Sequence, residues 1–112
     1  MKTTTFLSVL LVVATTVFAQ VDVNDFKGQG NLAINNGIRN SADGRDNLFD
    51  GNDNIAKGSQ NKFKGNFNQA QGENNNIVGV INNVQGNQNS VSGIVNGVSG
   101  AKNKVGGISN HV

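Results

Sequence analysis

The stretch Gly79-Val80-Ile81-Asn82-Asn83-Val84-Gln85, followed by Gly86-Asn87-Gln88-Asn89-Ser90-Val91-Ser92, decides the fold. Each half has Gly first, Asn fourth and Val sixth. The pattern runs outward in both directions. Glycine recurs at every seventh residue from Gly30 through Gly37, Gly44, Gly51, Gly58, Gly65 and Gly72 to Gly107, with no step missed. Asn follows three places after each glycine from Asn40 to Asn110. Five places after it stand Ala42, Phe49, Ala56, Phe63, Ala70, Ile77, Val84, Val91, Val98, Val105 and Val112. The unit is G-x-x-N-x-Φ-x, and a fixed period of this kind marks a repeat architecture. Only the first unit departs from it, with Ala33 where Asn belongs and Asn35 where the apolar residue belongs.

A heptad ordinarily suggests a coiled coil, which needs two apolar positions per seven and good helix formers. Here one apolar position is joined by an obligatory Gly and Asn, both poor in helices. An extended segment suits the unit better. The Asn and apolar positions lie two apart and face the same way on a strand, while their neighbours face out. Glycine then allows a bend that a Cβ would resist. Each heptad is one short strand plus one corner, and stacking such units gives a parallel β-solenoid.

Two heptads make one coil. In the first half of the chain the inward position alternates Ala42, Phe49, Ala56, Phe63, Ala70, and then evens out to Ile77, Val84, Val91, Val98. Two strands facing each other across a thin core share its width, so Phe opposite Ala fills about the space of Val opposite Val. The corners alternate as well. Phe67, Val80, Ile81, Ile94, Val95 and Ile108 occupy one set, and Ser59, Gln60, Glu73, Asn74, Asn87, Gln88 and Lys102 the other. The expected fold is all-β, a two-sided β-roll of about six coils of 14 residues, roughly 28 Å long at a strand spacing of about 4.8 Å. The inward Asn side chains should stack as ladders.

The expected organisation is a secretory signal peptide at 1–19, a cap or irregular segment at 20–29 and the solenoid at 30–112. Lys2, the apolar run Phe6 to Val13 and Val17-Phe18-Ala19 have the order of a cleavable signal. The run is short of the ~20 residues that a membrane span needs. Val21, Val23 and Phe26 would fold over the first coil. Val112 ends on an inward position, which leaves an open strand edge. The expected location is extracellular, yet the chain has no Cys to staple it. Without Lys2 the nine basic residues become eight against seven acidic ones, a net charge of +1. That balance argues against nucleic acid as a partner. Asp43, Asp46, Asp50 and Asp53 followed by Lys57, Lys62 and Lys64 read as a solvated, locally paired surface.

Enzymatic chemistry has little to stand on, and the expectation is a non-enzymatic protein without cofactor or metal. The single histidine, His111, is expected to point outward from a frayed end. There is no Cys nucleophile, and no Ser has a His–acid partner set. The Asp43–Asp53 stretch lacks the alternating ligands and closing Glu of a calcium loop. Gly28-Gln29-Gly30 has no βαβ unit around it.

Written from another phase, the unit is x-x-N-x-V-x-G. In Asn82-Asn83-Val84-Gln85-Gly86, Asn89-Ser90-Val91-Ser92-Gly93 and Asn96-Gly97-Val98-Ser99-Gly100 it resembles the repeat of the grass ice-recrystallisation-inhibition (antifreeze) proteins. The looser form, with Ala or Phe for Val, extends back to Gly37. The resemblance implies a left-handed β-roll with a Val core and Asn ladders, and ice binding by one flat outward face. The departure is that all five Thr lie in the signal, whereas that family's outward positions are rich in Thr and Ser. Head domains of trimeric autotransporter adhesins are more loosely similar, with Ala and Ser favoured inward.

Two surfaces follow as candidates. One outward face carries Leu48, Asp50, Lys62 and Lys64, whose long charged side chains break a flat match. The other carries Gln69, Gln71, Asn83, Gln85, Gly97 and Ser99, uncharged and one coil apart, and is the expected ice- or surface-binding face. The apolar corner set Phe67, Val80, Ile81, Ile94, Val95 and Ile108 is the expected association edge of an alternative structural, adhesive or host-directed protein. Self-association by that edge or by an open C-terminal coil belongs to the same expectation.

Overall fold

The computed structural model describes residues 24–35 and 37–112. The expected signal peptide, and Val21 and Val23 of the expected cap, lie outside the described residues. The rest is strand and corner, with no helix among the described residues. The strands are β1 (Asp25–Lys27), β2 (Leu32–Ile34), β3 (Ser41–Asp43), β4 (Leu48–Asp50), β5 (Ile55–Lys57), β6 (Lys62–Asn66), β7 (Gln69–Gln71), β8 (Asn76–Val80), β9 (Asn83–Gln85), β10 (Ser90–Ile94), β11 (Gly97–Ser99) and β12 (Lys104–Ile108).

Odd strands form one six-stranded sheet and even strands the other, each in chain order. Every pairing is parallel. From β3 onward the register advances by one coil of 14: Ala70 lies beside Val84 and Phe63 beside Ile77. The chain is therefore a parallel β-solenoid of six turns. Between the sheets lie Ala42, Ala56, Ala70, Val84 and Val98 from the odd side, and Phe49, Phe63, Ile77, Val91 and Val105 from the even side, all buried. Phe49 and Phe63 stack with ring centroids 5.0 Å apart, so the wide even-sheet residues rest on one another where the odd sheet supplies only Ala.

The Asn residues form two ladders, one along each edge of the core. Asn40 through Asn96 at the heptad spacing are buried. No buried side-chain polar atom among the described residues lacks a partner. Asn is suited to this place because its amide offers two donors and a two-fold acceptor, and in an interior rung such as Asn68 all four are used.

Each corner from Gly44 onward follows one plan, visible at Gly65-Asn66-Phe67-Asn68. Gly65 has φ 125° and Phe67 φ 58°. A Cβ on Gly65 would collide with the carbonyl oxygen of Gly79 in the next coil. Glycine is required there both for the dihedral angle and for the close approach of stacked backbones. The second residue after the glycine is left-handed at every corner from Arg39 to Ser109.

The first coil differs from the sequence expectation. Ala33 and Asn35 are not misplaced repeat residues. Phe26 pairs with Ala42 and Ala33 with Phe49, an offset of 16 rather than 14. Gly28, not Gly30, is the close-packed corner glycine, where a Cβ would collide with Gly44 O. Gly30 fills the left-handed place with φ 72°. Asn31 is a ladder rung, accepting from Asn47 Nδ2 at 2.9 Å. The offset returns to 14 at Gly37, which lies against Gly51 and whose N–H donates to Ile34 O at 3.1 Å. Gly30 and Gly37 keep the spacing of seven along the chain, which hid the earlier start. Phe26 therefore does not cap the coil from outside. It is a β1 residue, packed against the core and stacked on Phe49 with centroids 5.4 Å apart.

The reading of His111 as a frayed end is also corrected. His111 makes a parallel bridge with Gly97. The Gly97 N–H donates to Asn110 O at 2.8 Å, and the Val112 N–H to Gly97 O at 2.9 Å. The segment continues the odd sheet, although His111 is exposed and Val112 remains half-exposed.

Candidate surface-binding faces

Alternation along the strands places every outward residue. On the odd sheet, Ser41, Ile55, Gln69, Asn83 and Gly97 form one row and Asp43, Lys57, Gln71, Gln85 and Ser99 a second, each in direct register, so the face is charged at Asp43 and Lys57 and uncharged only from β7 onward. The four amide side chains and Ser99 are exposed. The rows are about 6–7 Å apart along the strand and the residues about 4.8 Å apart along each row. The structure thus brings Gln69, Gln71, Asn83, Gln85 and Ser99 together as an uncharged grid. Its far end is notched. Asn83, Gln85, Gly97, Val98, Ser99 and His111 line an open hollow of about 300 Å³, created where Gly97 has no side chain between Asn83 and His111.

The even sheet carries a mixed outward face. Leu48, Lys62, Asn76, Ser90 and Lys104 form one row, and Asp50, Lys64, Val78, Ser92 and Gly106 the other. Four of its strands, β6, β8, β10 and β12, run past their glycine into the corner. The last three carry Val80, Ile94 and Ile108 into direct register with Asn66 of β6. Phe67, Ile81 and Val95 follow in the next column. Phe67, Ile81, Ile94, Val95 and Ile108 are exposed, Phe67 by 59% and Ile108 by 72%, and Val80 is partly buried. All six residues of the expected edge thus lie on one side of the solenoid.

That same side is polar toward the N-terminus. The Ile38 N–H donates to Asn52 Oδ1 at 2.9 Å, and the Asn52 N–H to Asn66 Oδ1 at 2.9 Å. Arg39 holds Asp53 in the next coil with two bonds of 2.6 Å, from Nε to Oδ1 and from an Nη to Oδ2. The hydrogen bond from Arg39 holds the Asp53 carboxyl below the ordinary carboxylate range, and the pairing raises the Arg39 guanidinium further. From Phe67 onward the side-chain bonds give way to exposed hydrocarbon.

One property of this edge was missed by sequence reasoning. Phe67, Ile81 and Val95 have φ of 58°, 60° and 57°. For a bulky or β-branched side chain this is an uncommon and costly conformation. A partial signal was present in the other corners, where Gly30, Asp46, Asp53 and Asn74 are types that tolerate it, although Arg39, Gln60, Gln88, Lys102 and Ser109 hold the same place.

Among the described residues no group of three or more His, Cys, Asp or Glu could hold a metal ion, and no helix is long and apolar enough to cross a membrane. No protein-family model matches the chain, and no curated protein matches it either, so its surfaces are read on their own geometry.

Proposed function

We propose that this chain is a secreted, non-enzymatic repeat protein that binds ice through the flat face of its odd sheet and inhibits recrystallisation. The observation that carries the reading is the in-register grid of Gln69, Gln71, Asn83, Gln85 and Ser99, exposed and uncharged. A periodic array of polar groups on a stacked backbone suits a periodic partner, because the spacing is set by the sheet and little backbone freedom remains to be lost on contact. The resemblance of the repeat unit to x-x-N-x-V-x-G supports ice as that partner. The test is crystal coarsening in a frozen sucrose film at micromolar protein. Inhibition by the wild type, weakened by Gln85→Lys and retained by Gln88→Lys on the polar edge, supports it. Unimpeded coarsening by folded protein sinks it.

A second reading is an extracellular structural or adhesive protein that docks through the edge of Phe67, Val80, Ile81, Ile94, Val95 and Ile108. What favours it is the exposure of Ile81 and Val95 in a conformation that costs β-branched residues free energy. Burial does not explain their presence, since both are about half exposed. Loss of adsorption to a hydrophobic surface by Ile81→Asp and Ile94→Asp tests this reading.

A further inference from the structure

We infer that the partner of the apolar edge is a second copy of this chain, joined edge to edge in antiparallel fashion about a two-fold axis. The inference rests on the edge reading above and names its partner. Three observations carry it: the area, the distribution of charge and the register of the columns.

By their exposed fractions the six side chains present on the order of 500 Å² per copy, so a two-fold contact would cover about 1,000 Å². That is the threshold of a specific interface, and it suits a weak, reversible dimer. A two-fold contact uses the same patch on both copies. An in-register column of side chains at one-coil spacing is self-complementary in this way: Val80, Ile94 and Ile108 of one copy can interleave with the same column of the other.

Charge selects the direction. Arg39 and Asp53 occupy the N-terminal end of the same edge. A parallel pair would set Arg39 against Arg39 and Asp53 against Asp53. An antiparallel pair centred between the coil of Val80 and Ile81 and the coil of Ile94 and Val95 carries both charged residues beyond the contact. It sets Phe67 toward Ile108 and Ile81 toward Val95. The two odd sheets then lie side by side and face the same way, so the grids of Gln69 to Ser99 join into one surface of twice the width.

The experiment is sedimentation velocity of the protein purified after expression of the full chain in a secreting host, from about 1 to about 100 µM. Dimer growing over this range, with Ile94→Asp monomeric throughout and Ile94→Ser shifted at least tenfold toward monomer, supports the proposal. Ile94 is exposed, so unchanged far-ultraviolet circular dichroism verifies that both variants remain folded. Direction is read from disulfides, since the chain has no cysteine of its own. When separately prepared Ile81→Cys and Val95→Cys proteins are mixed and oxidised, the heterodisulfide should exceed both homodisulfides severalfold. Dominant homodisulfides overturn the antiparallel arrangement. Wild type that stays monomeric at about 100 µM overturns the second copy as partner. If Ile94→Asp then still loses surface adsorption, the edge reading stands and only its partner falls.

Discussion

Asn68 hangs on Asn54 by two bonds to one oxygen: its backbone N–H reaches Asn54 Oδ1 at 3.0 Å and its Nδ2 reaches the same atom at 3.1 Å. The second hydrogen of Nδ2 goes to Gly79 O at 2.9 Å. One buried side chain therefore ties three successive coils, Asn54, Asn68 and Gly79, along one edge of the core. This is how a thin interior holds a stack that has no disulfide.

The ladder requires an amide and not merely a polar group. Asn68→Asp removes both Nδ2 donors and points a carboxylate at the carbonyl of Gly79. The expected cost is about 3–5 kcal/mol in urea unfolding, as for a buried polar network left uncompensated. Asn74→Asp, exposed in a left-handed corner place, should change stability by less than about 0.5 kcal/mol. Equal effects at the two sites would remove the ladder from the account of stability.

The strained edge predicts substitutions that stabilise. Ile81→Asn and Val95→Asn replace β-branched side chains at φ 60° and 57° with a residue that tolerates this region. Each should raise stability by about 1 kcal/mol, seen as a higher unfolding midpoint. The same changes should weaken whatever association the edge supports. A fall in stability would mean that burial on the edge outweighs the backbone cost.

Phe opposite Ala is a volume relation that can be tested by exchange. Ala56→Val alone overfills the first half of the core and should cost about 1–3 kcal/mol. Phe63→Val alone leaves a void beside Phe49 and should cost a similar amount. Made together, they copy the Val–Val arrangement of the later coils, and their combined cost should fall well below the sum. A double-mutant cycle with no coupling would show that the two sheets do not share width in this way.

The pair of Arg39 and Asp53 gives the N-terminal coils a mild acid sensitivity. Asp53 is held below its unfolded pKa, so its contribution is complete above the ordinary carboxylate range. It is lost as pH falls through the lowered folded value. Both side chains retain contact with water, so the effect is small and screened by salt. Protection of the Ile38 and Asp53 amides, taken as the exchange rate relative to the intrinsic rate at each pH, should fall below that range in the wild type, and Asp53→Asn should remove this fall.

The coil, the Asn ladders and the two edges were legible because each is written as a period. Ala42 and Phe49 could be paired from the sequence, since filling a narrow core leaves few choices. The first coil was not legible. Gly30 keeps the count of seven while serving in a different place, and only the stacking of Gly28 on Gly44 reveals the true phase. The strain at Ile81 and Val95 was hidden for a related reason. Apolar side chains at a corner show a pattern of exposure, but the sign of φ depends on how the next coil bonds. The outward grid could be placed residue by residue, because alternation on a strand decides which way each points. What it meets does not follow from alternation, since the same rows of amides would suit any flat polar surface.

The pairing of alternate heptads also constrains how such a chain can change length. Loss of 14 residues from the middle removes one storey and leaves every later side chain on its own sheet and edge. Loss of seven keeps Gly, Asn and the apolar residue in phase, yet sends all that follows to the opposite wall. Lys104 and Ile108 would then arrive where Gly97 and Ala101 stand, and charge and hydrocarbon would exchange sides partway along the rod. A chain built this way can be lengthened or shortened by whole storeys, and half a storey turns its surfaces inside the same silhouette.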